Sequence, residues 1–147
     1  MPNQRVVSVS REIAAEPEVI FALLCDPSKH SLIDGSDTVK ETKADASEPL
    51  ELGSRFAMKM VLGVPYVITS EVVEFGQDRL IAWAHFGGHR WRYELEPIDG
   101  GTRVTESFDW STAKFPPFYE WVGYPRRHVT NMERTLERLE TIVAPSN

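Results

Sequence analysis

The longest periodic pattern in the chain is its last one. Between Tyr124 and Val143 the apolar residues Val129, Met132, Leu136, Leu139 and Val143 recur at spacings of 3, 4, 3 and 4, the stripe of an amphipathic helix over residues 125–143. At about 1.5 Å per residue such a helix spans about 30 Å, so the rest of the chain must supply one apolar surface for it to lie on. At the other end, residues 5–13 alternate, with Val7, Val9, Arg11 and Ile13 against Val6, Ser8, Ser10 and Glu12, which predicts a strand. Pro17, flanked by Glu16 and Glu18, then opens a short helix carrying Val19, Ile20, Leu23 and Leu24. Asp26-Pro27 ends it, and a second short helix follows over 27–33, closed by Asp34-Gly35-Ser36.

From residue 37 the pattern has period two. Gly63-Val64, Gly76-Gln77-Asp78, Gly87-Gly88 and Asp99-Gly100-Gly101 divide it into predicted strands over 38–42, 54–62, 66–75, 80–86, 89–96 and 102–110, an antiparallel meander. Residues opposed across a hairpin share a face, so the turns allow the register to be counted. A two-residue turn at Gly87-Gly88 sets Phe86 against His89, Ala84 against Trp91, Ala82 against Tyr93 and Leu80 against Leu95. Through Asp99-Gly100 the count sets Leu95 against Val104, Tyr93 against Glu106, Trp91 against Phe108 and His89 against Trp110. A Gly63-Val64 turn sets Met60 against Val67, Met58 against Thr69 and Phe56 against Glu71. One face then carries Phe56, Met58, Met60, Leu62, Val67, Thr69, Glu71, Val73, Leu80, Trp91, Tyr93, Leu95, Val104, Glu106, Phe108 and Trp110, and this is the face for the long helix to cover. The other carries Arg55, Lys59, Arg90, Arg92, Glu94, Glu96, Arg103 and Asp109, with Trp83 shielded by Arg92.

Composition narrows the class. The 147 residues, 41% hydrophobic and 26% charged, suit one globular domain over 1–147. A net charge of −6 argues against nucleic acid and anionic membrane surfaces as partners. One cysteine, Cys25, excludes an intramolecular disulfide; the opening MPNQRVVSVS has no apolar signal-peptide core, and no apolar run approaches the roughly 20 residues of a membrane span. The expectation is a cytoplasmic protein with no membrane insertion.

The order strand, two short helices, six meandering strands and a long helix is that of the helix-grip fold. With VSREIAAEPEVIFALLCDP (Val9 to Pro27), WRYELEP (Trp91 to Pro97) and GGTRVTESF (Gly100 to Phe108), nearly the whole chain resembles the START-like polyketide cyclase/dehydrase and lipid-transport superfamily. The resemblance implies an α+β fold: a curved seven-stranded antiparallel sheet gripping the C-terminal helix, two short helices between strands 1 and 2, and a cavity for a hydrophobic small molecule. Its landmarks are architectural, so no catalytic motif carries over, and the scaffold hosts carriers, receptors and cyclases alike.

Within that frame Glu71 and Glu106 are the most informative residues, two carboxylates on an otherwise apolar face. Each must be paired, protonated or wet, and either is a candidate acid-base group or anchor for a ligand hydroxyl; Glu106 can equally accept a hydrogen bond from Tyr93. At about 4.8 Å per strand they stand about 14 Å apart, too far for a close catalytic pair. His89, His128 and Asn131 edge the same surface. The predicted ligand-binding set is Phe56, Met58, Glu71, Trp91, Tyr93, Glu106, Phe108, Trp110, His128 and Met132, and the catalytic candidates are Glu106, Tyr93 and His128. No metal is expected, because His85 and His89 straddle a turn and face opposite sides; no cofactor is expected either, since the glycines sit in turns without a strand-to-helix context. Cys25 reads as a buried structural thiol rather than the partner of His30. The aromatic run over 115–124 reads as a lid, a dimer contact or a loop packed on the core, and an outer cluster of Tyr66, Ile68, Val72, Ile81 and Trp83 favours a homodimer. Three functions stay open: a binder or carrier of a lipid, polyketide or aromatic metabolite; a cyclase, dehydratase or hydrolase acting on such a molecule; and an interaction protein with a filled interior.

Overall fold

The computed structural model describes residues 6–26, 29–33, 39–44, 50–62, 64–84, 89–111 and 124–144. Its elements in order are β1 (Val6–Ile13), α1 (Pro17–Leu24), α2 (His30–Ile33), β2 (Val39–Ala44), β3 (Arg55–Leu62), β4 (Val64–Gly76), β5 (Leu80–Ala84), β6 (Arg90–Ile98), β7 (Gly101–Asp109) and α3 (Tyr124–Val143). The strands form one antiparallel sheet in the order β1-β7-β6-β5-β4-β3-β2. Chain neighbours pair throughout the meander, and α1 and α2 carry the chain from the β1 edge to the β2 edge. This is the α+β helix-grip arrangement.

Local chemistry sets the joints. Pro17 stands at the start of α1, where a missing N–H costs nothing, and Ile20, Phe21 and Leu24 bury the inner face of that helix. A ring nitrogen of His30 lies 2.9 Å from the Leu24 carbonyl oxygen, tying the start of α2 to the end of α1. Between β6 and β7 the two-residue turn needs a left-handed backbone, which Gly100 supplies at φ +83°. Next to it, Gly101 leaves no room for a side chain, because a Cβ there would overlap the carbonyl oxygen of Ile13.

The interior has two parts. The larger joins Ile13, Leu95 and Val104 of the sheet to Ile20, Phe21 and Leu24 of α1 and to Leu136 and Leu139 of α3. Phe108, Trp110 and Met132 make the smaller one, with Val7, Val9, Trp91 and Val129 packed around them. Val9 and Trp91 touch both. Arg11 reaches from β1 to Glu140 of α3 at 2.8 Å, clasping the helix near its end.

The counted register holds between β6 and β7, where Leu95 faces Val104, Tyr93 faces Glu106 and Trp91 faces Phe108. It is off by one residue in two other hairpins. Leu62 already pairs with Val64, so Phe56 faces Ser70 and Met58 faces Ile68. Trp83, not Ala84, faces Trp91, and Ile81, not Ala82, faces Tyr93. A one-residue slip turns a strand over. Glu71 is therefore on the far side of the sheet from α3, and Val67 and Thr69 are exposed. Val72, Ile81 and Trp83 are buried on the helix side instead, helped by a bulge between Val72 and Glu74. The outer apolar cluster that argued for a homodimer is therefore not formed, since three of its members lie inside. Trp83 is not shielded by Arg92; it stacks on His30, with ring centroids 4.9 Å apart.

The outer face is ionic, as expected. Glu74 receives Arg92 at 2.7 Å and Arg90 at 3.1 Å, Arg103 bridges Glu12 and Glu96 at 3.1 Å each, and Arg55 meets Glu71 at 3.0 Å. Burial works against the charge on Glu74, but the bonds from Arg92 and Arg90 outweigh it and hold the carboxyl below its ordinary value. The aromatic run over 115–123, the Gly87-Gly88 turn with Phe86 and His85, and the side chains of Met58, Lys59, Met60, Leu62 and Ile68 lie outside the described residues.

Candidate functional site

Paired residues line up in rows across the inner face of the sheet. One row runs Val9, Glu106, Tyr93, Ile81 and Phe75; the next, two residues along β1, β7, β6 and β5 and three along the bulged β4, runs Val7, Phe108, Trp91, Trp83 and Val72. The first borders the filled interior under Leu136 and Leu139, and the second opens the ring-rich end under the first half of α3. Side-chain size explains the sides of β5: Ile81 and Trp83 turn inward, while Ala82 and Ala84 leave room for the arginine side chains of β6 on the outer face.

At the ring-rich end, among the described residues, four rings gather around that of Phe108. Trp91 and Phe108 have centroids 4.7 Å apart, and Phe108 stacks on Trp110 at 5.8 Å with a 22° interplanar angle. From α3, His128 sets its ring edge against Phe108 at 4.5 Å and Trp91 at 4.8 Å. His89 meets Phe108 at 5.3 Å. Burial among these rings pushes the His89 imidazole down to about 4, so it is neutral at pH 7, offering one donor and one acceptor nitrogen. Phe108, Trp110 and Met132 are fully covered, whereas Trp91, His89, His128 and Val129 are half-buried.

Between the two parts sits the polar pair. Tyr93 donates its hydroxyl proton to Glu106 Oε2 at 2.9 Å, and both side chains are buried, at 5% and 3% exposure. A buried carboxyl facing a phenol can hold a proton or orient a ligand's polar group.

Of the predicted set, the fold brings together Trp91, Tyr93, Glu106, Phe108, Trp110, His128 and Met132. Phe56 is buried but stands across the sheet, against His30 and Trp83. Glu71 is a correction: its carboxylate is bound to Arg55 on the outer face, because the hairpin of β3 and β4 is one residue tighter than the counted turn. Trp83, expected on the outer face, and His30, considered only beside Cys25, are both buried in the interior. The alternation of large and small residues in Leu80–Ala84 is the signal that finds Trp83; nothing local marks His30, which Pro27 separates from α1.

Cys25 is buried, and desolvation, with Asp78 nearby, pushes its thiol up to about 12, which leaves it protonated and inert. A cleft of about 340 Å³ lies between β1 and α3, lined by Val9, Ser10, Arg11, Glu133, Leu136 and Glu137. It is open and polar, and holds none of the ring residues. No helix among the described residues is long and apolar enough to cross a membrane.

Comparison with known proteins agrees with this architecture. Residues 4–144 match the family described as polyketide cyclase / dehydrase and lipid transport. An uncharacterized protein of Mycobacterium tuberculosis, Rv0088, is 41% identical over 140 residues, which cover 90% of this chain and 62% of that protein; the chain thus spans under two thirds of this relative's length. Among solved structures, Ms6760 of Mycobacterium smegmatis superposes with a TM-score of 0.71 at 15% identity, covering 99% of this chain and 94% of the other. CV1439 of Chromobacterium violaceum gives 0.70 at 15% identity, covering 96% and 99%. At those identities the likeness is one of fold.

Proposed function

The chain belongs to the polyketide cyclase / dehydrase and lipid-transport family, and from that premise we propose that it binds a hydrophobic small molecule against the ring-rich end of the sheet, beneath the first half of α3. The observation that carries this reading is the contrast in cover. Trp91, His89 and His128 present half-buried rings beside a buried polar pair, while Leu136 and Leu139 are themselves buried in the larger apolar cluster. An apolar wall with a few polar groups at one end is the composition of a ligand site rather than of a core. Binding or carriage needs only that wall.

A cyclase or dehydratase is the second reading, and the Tyr93–Glu106 hydrogen bond is what favours it. Titration with palmitate and with hydroxylated anthraquinones, following tryptophan fluorescence, tests the first. Saturable quenching that Trp91→Phe largely removes is the expected result; no response to either class refutes binding. Turnover of a bound polyketide that disappears in Glu106→Gln would establish the second instead.

A further inference from the structure

The hairpin of β3 and β4 is apolar on both faces at its tip, and we propose that this tip seats itself in the headgroup layer of a zwitterionic phospholipid bilayer. Val64 and Val67, 68% and 64% exposed, are the two most exposed large apolar residues among those described, and Pro65 is exposed between them. Along β4, Val64 alternates onto the side of buried Ser70, and Val67 onto that of Glu71 on the outer face. The two valines therefore stand on opposite faces. A core explains one apolar face of a hairpin; it does not explain two bare ones. Pairing shows how far the tip stands out. β4 first meets β5 at Glu71, opposite Ala84, and β3 last meets β2 at Met60, opposite Val39. Among the described residues the end of the hairpin is thus a ribbon of two strands, while α3 packs on β1 and β7 at the other side of the strand order.

Size, charge and depth select the occupant. Covering the tip removes on the order of 300 Å² from water, well short of the roughly 800 Å² per partner of a stable dimer. A partner chain would also leave one face wet, whereas a lipid layer surrounds both. Residues 60–70 form the longest run without a charged side chain in the sequence. At its edge the register sets Lys59 opposite Val67, and Glu41 on the other side of Lys59. One residue of each charge at that level matches a headgroup that carries both signs, while the net charge of −6 disfavours an anionic surface. The three steps from Val64 to Val67 measure about 10 Å, the depth of the boundary between headgroups and acyl chains. The outward-facing backbone groups of a two-stranded ribbon need water or ester carbonyls as partners, which holds the seat to that depth. No segment crosses the bilayer, so the contact departs from the expectation of no insertion by this depth alone.

Flotation of the whole chain with phosphatidylcholine vesicles tests the proposal. Val64→Glu and Val67→Glu are each expected to weaken partitioning at least about tenfold, while Val19→Glu, the same change at an exposed valine of α1, should leave it within about twofold. Because Cys25 is buried, a Val64→Cys chain can be tagged at position 64 alone with a polarity-sensitive dye, whose emission should move to the blue on the vesicles. Urea midpoints check that each variant folds. No flotation of the unaltered chain, or flotation that both hairpin variants retain, overturns the proposal. Tighter binding to vesicles containing phosphatidylglycerol overturns the choice of headgroup. A dimer in sedimentation that Val64→Glu dissociates, without flotation, gives the tip to a second copy instead. Small-molecule binding at the ring-rich end stands or falls separately, since its residues lie on β6, β7 and α3.

Discussion

The two halves of α3 rest on the same sheet and are held in different ways. Beyond Thr135, Leu136 and Leu139 belong to the buried cluster that holds α1, Leu95 and Val104, Leu136 also lines the cleft beside β1, and Arg11 fastens Glu140. Before it, Met132 and Val129 meet a cluster of rings whose members Trp91, His89 and His128 are half-buried. Close packing of the first kind makes a domain stable; half-covered rings next to a polar pair are the surface on which the proposed ligand would sit. One helix thus serves as core at its end and as cover at its start.

Substitutions should separate the halves. Leu139→Ala is expected to cost about 3 kcal/mol of unfolding free energy in urea, with anthraquinone affinity unchanged in the folded fraction. Met132→Ala should cost less, about 2 kcal/mol, and weaken binding. Equal losses of stability with no change in binding from Met132→Ala would erase the distinction.

pH reaches the ring-rich half through His89. Its imidazole goes from an ordinary 6.5 in the unfolded chain to about 4 in the fold, so the unfolded chain binds more protons between those values. Its contribution is fully present above about pH 6.5 and is lost as the pH falls toward 4. The urea midpoint should drop across that window, and His89→Gln should flatten the drop; an identical profile in the variant would place the titrating group elsewhere. Burial of Cys25 gives a measure for the other half, since iodoacetamide should label the thiol only as fast as the closed interior unfolds.

The smallest effect belongs to neither half. Arg55 and Glu71 form an exposed pair on the outer face, with side chains 75% and 43% accessible. Glu71→Gln should change stability by less than about 1 kcal/mol and leave binding untouched. A loss of affinity there would mean that the outer face takes part after all.

How far the chain could be read follows from its turns. The element order, α3 and the β6–β7 register were legible, because Asp99-Gly100 is a two-residue turn with a glycine where the backbone needs one. Where pairing begins could not be read at Gly63-Val64, since Val64 already belongs to β4. Nor could it be read before β6, where Trp83 rather than Ala84 faces Trp91. Parity is unforgiving: a single residue moved Glu71 out of the site and Trp83 into the interior. Tyr93 and Glu106 survived because they lie on either side of the hairpin that was counted correctly. His30 was beyond reach, its position depending on how α2 docks rather than on any pattern within it.

The pairing of β1 with β7 has a consequence for how the molecule comes to be. Val7 finds its partner in Phe108, about a hundred residues later, while the meander from β2 to β7 closes hairpin by hairpin. During synthesis β1 is made before the whole meander yet is among the last of these strands to be paired, and its apolar face waits in solution until β7 has emerged. Closing so long a loop adds to the entropic barrier, so the step that completes the floor under α3 is expected to limit the folding rate.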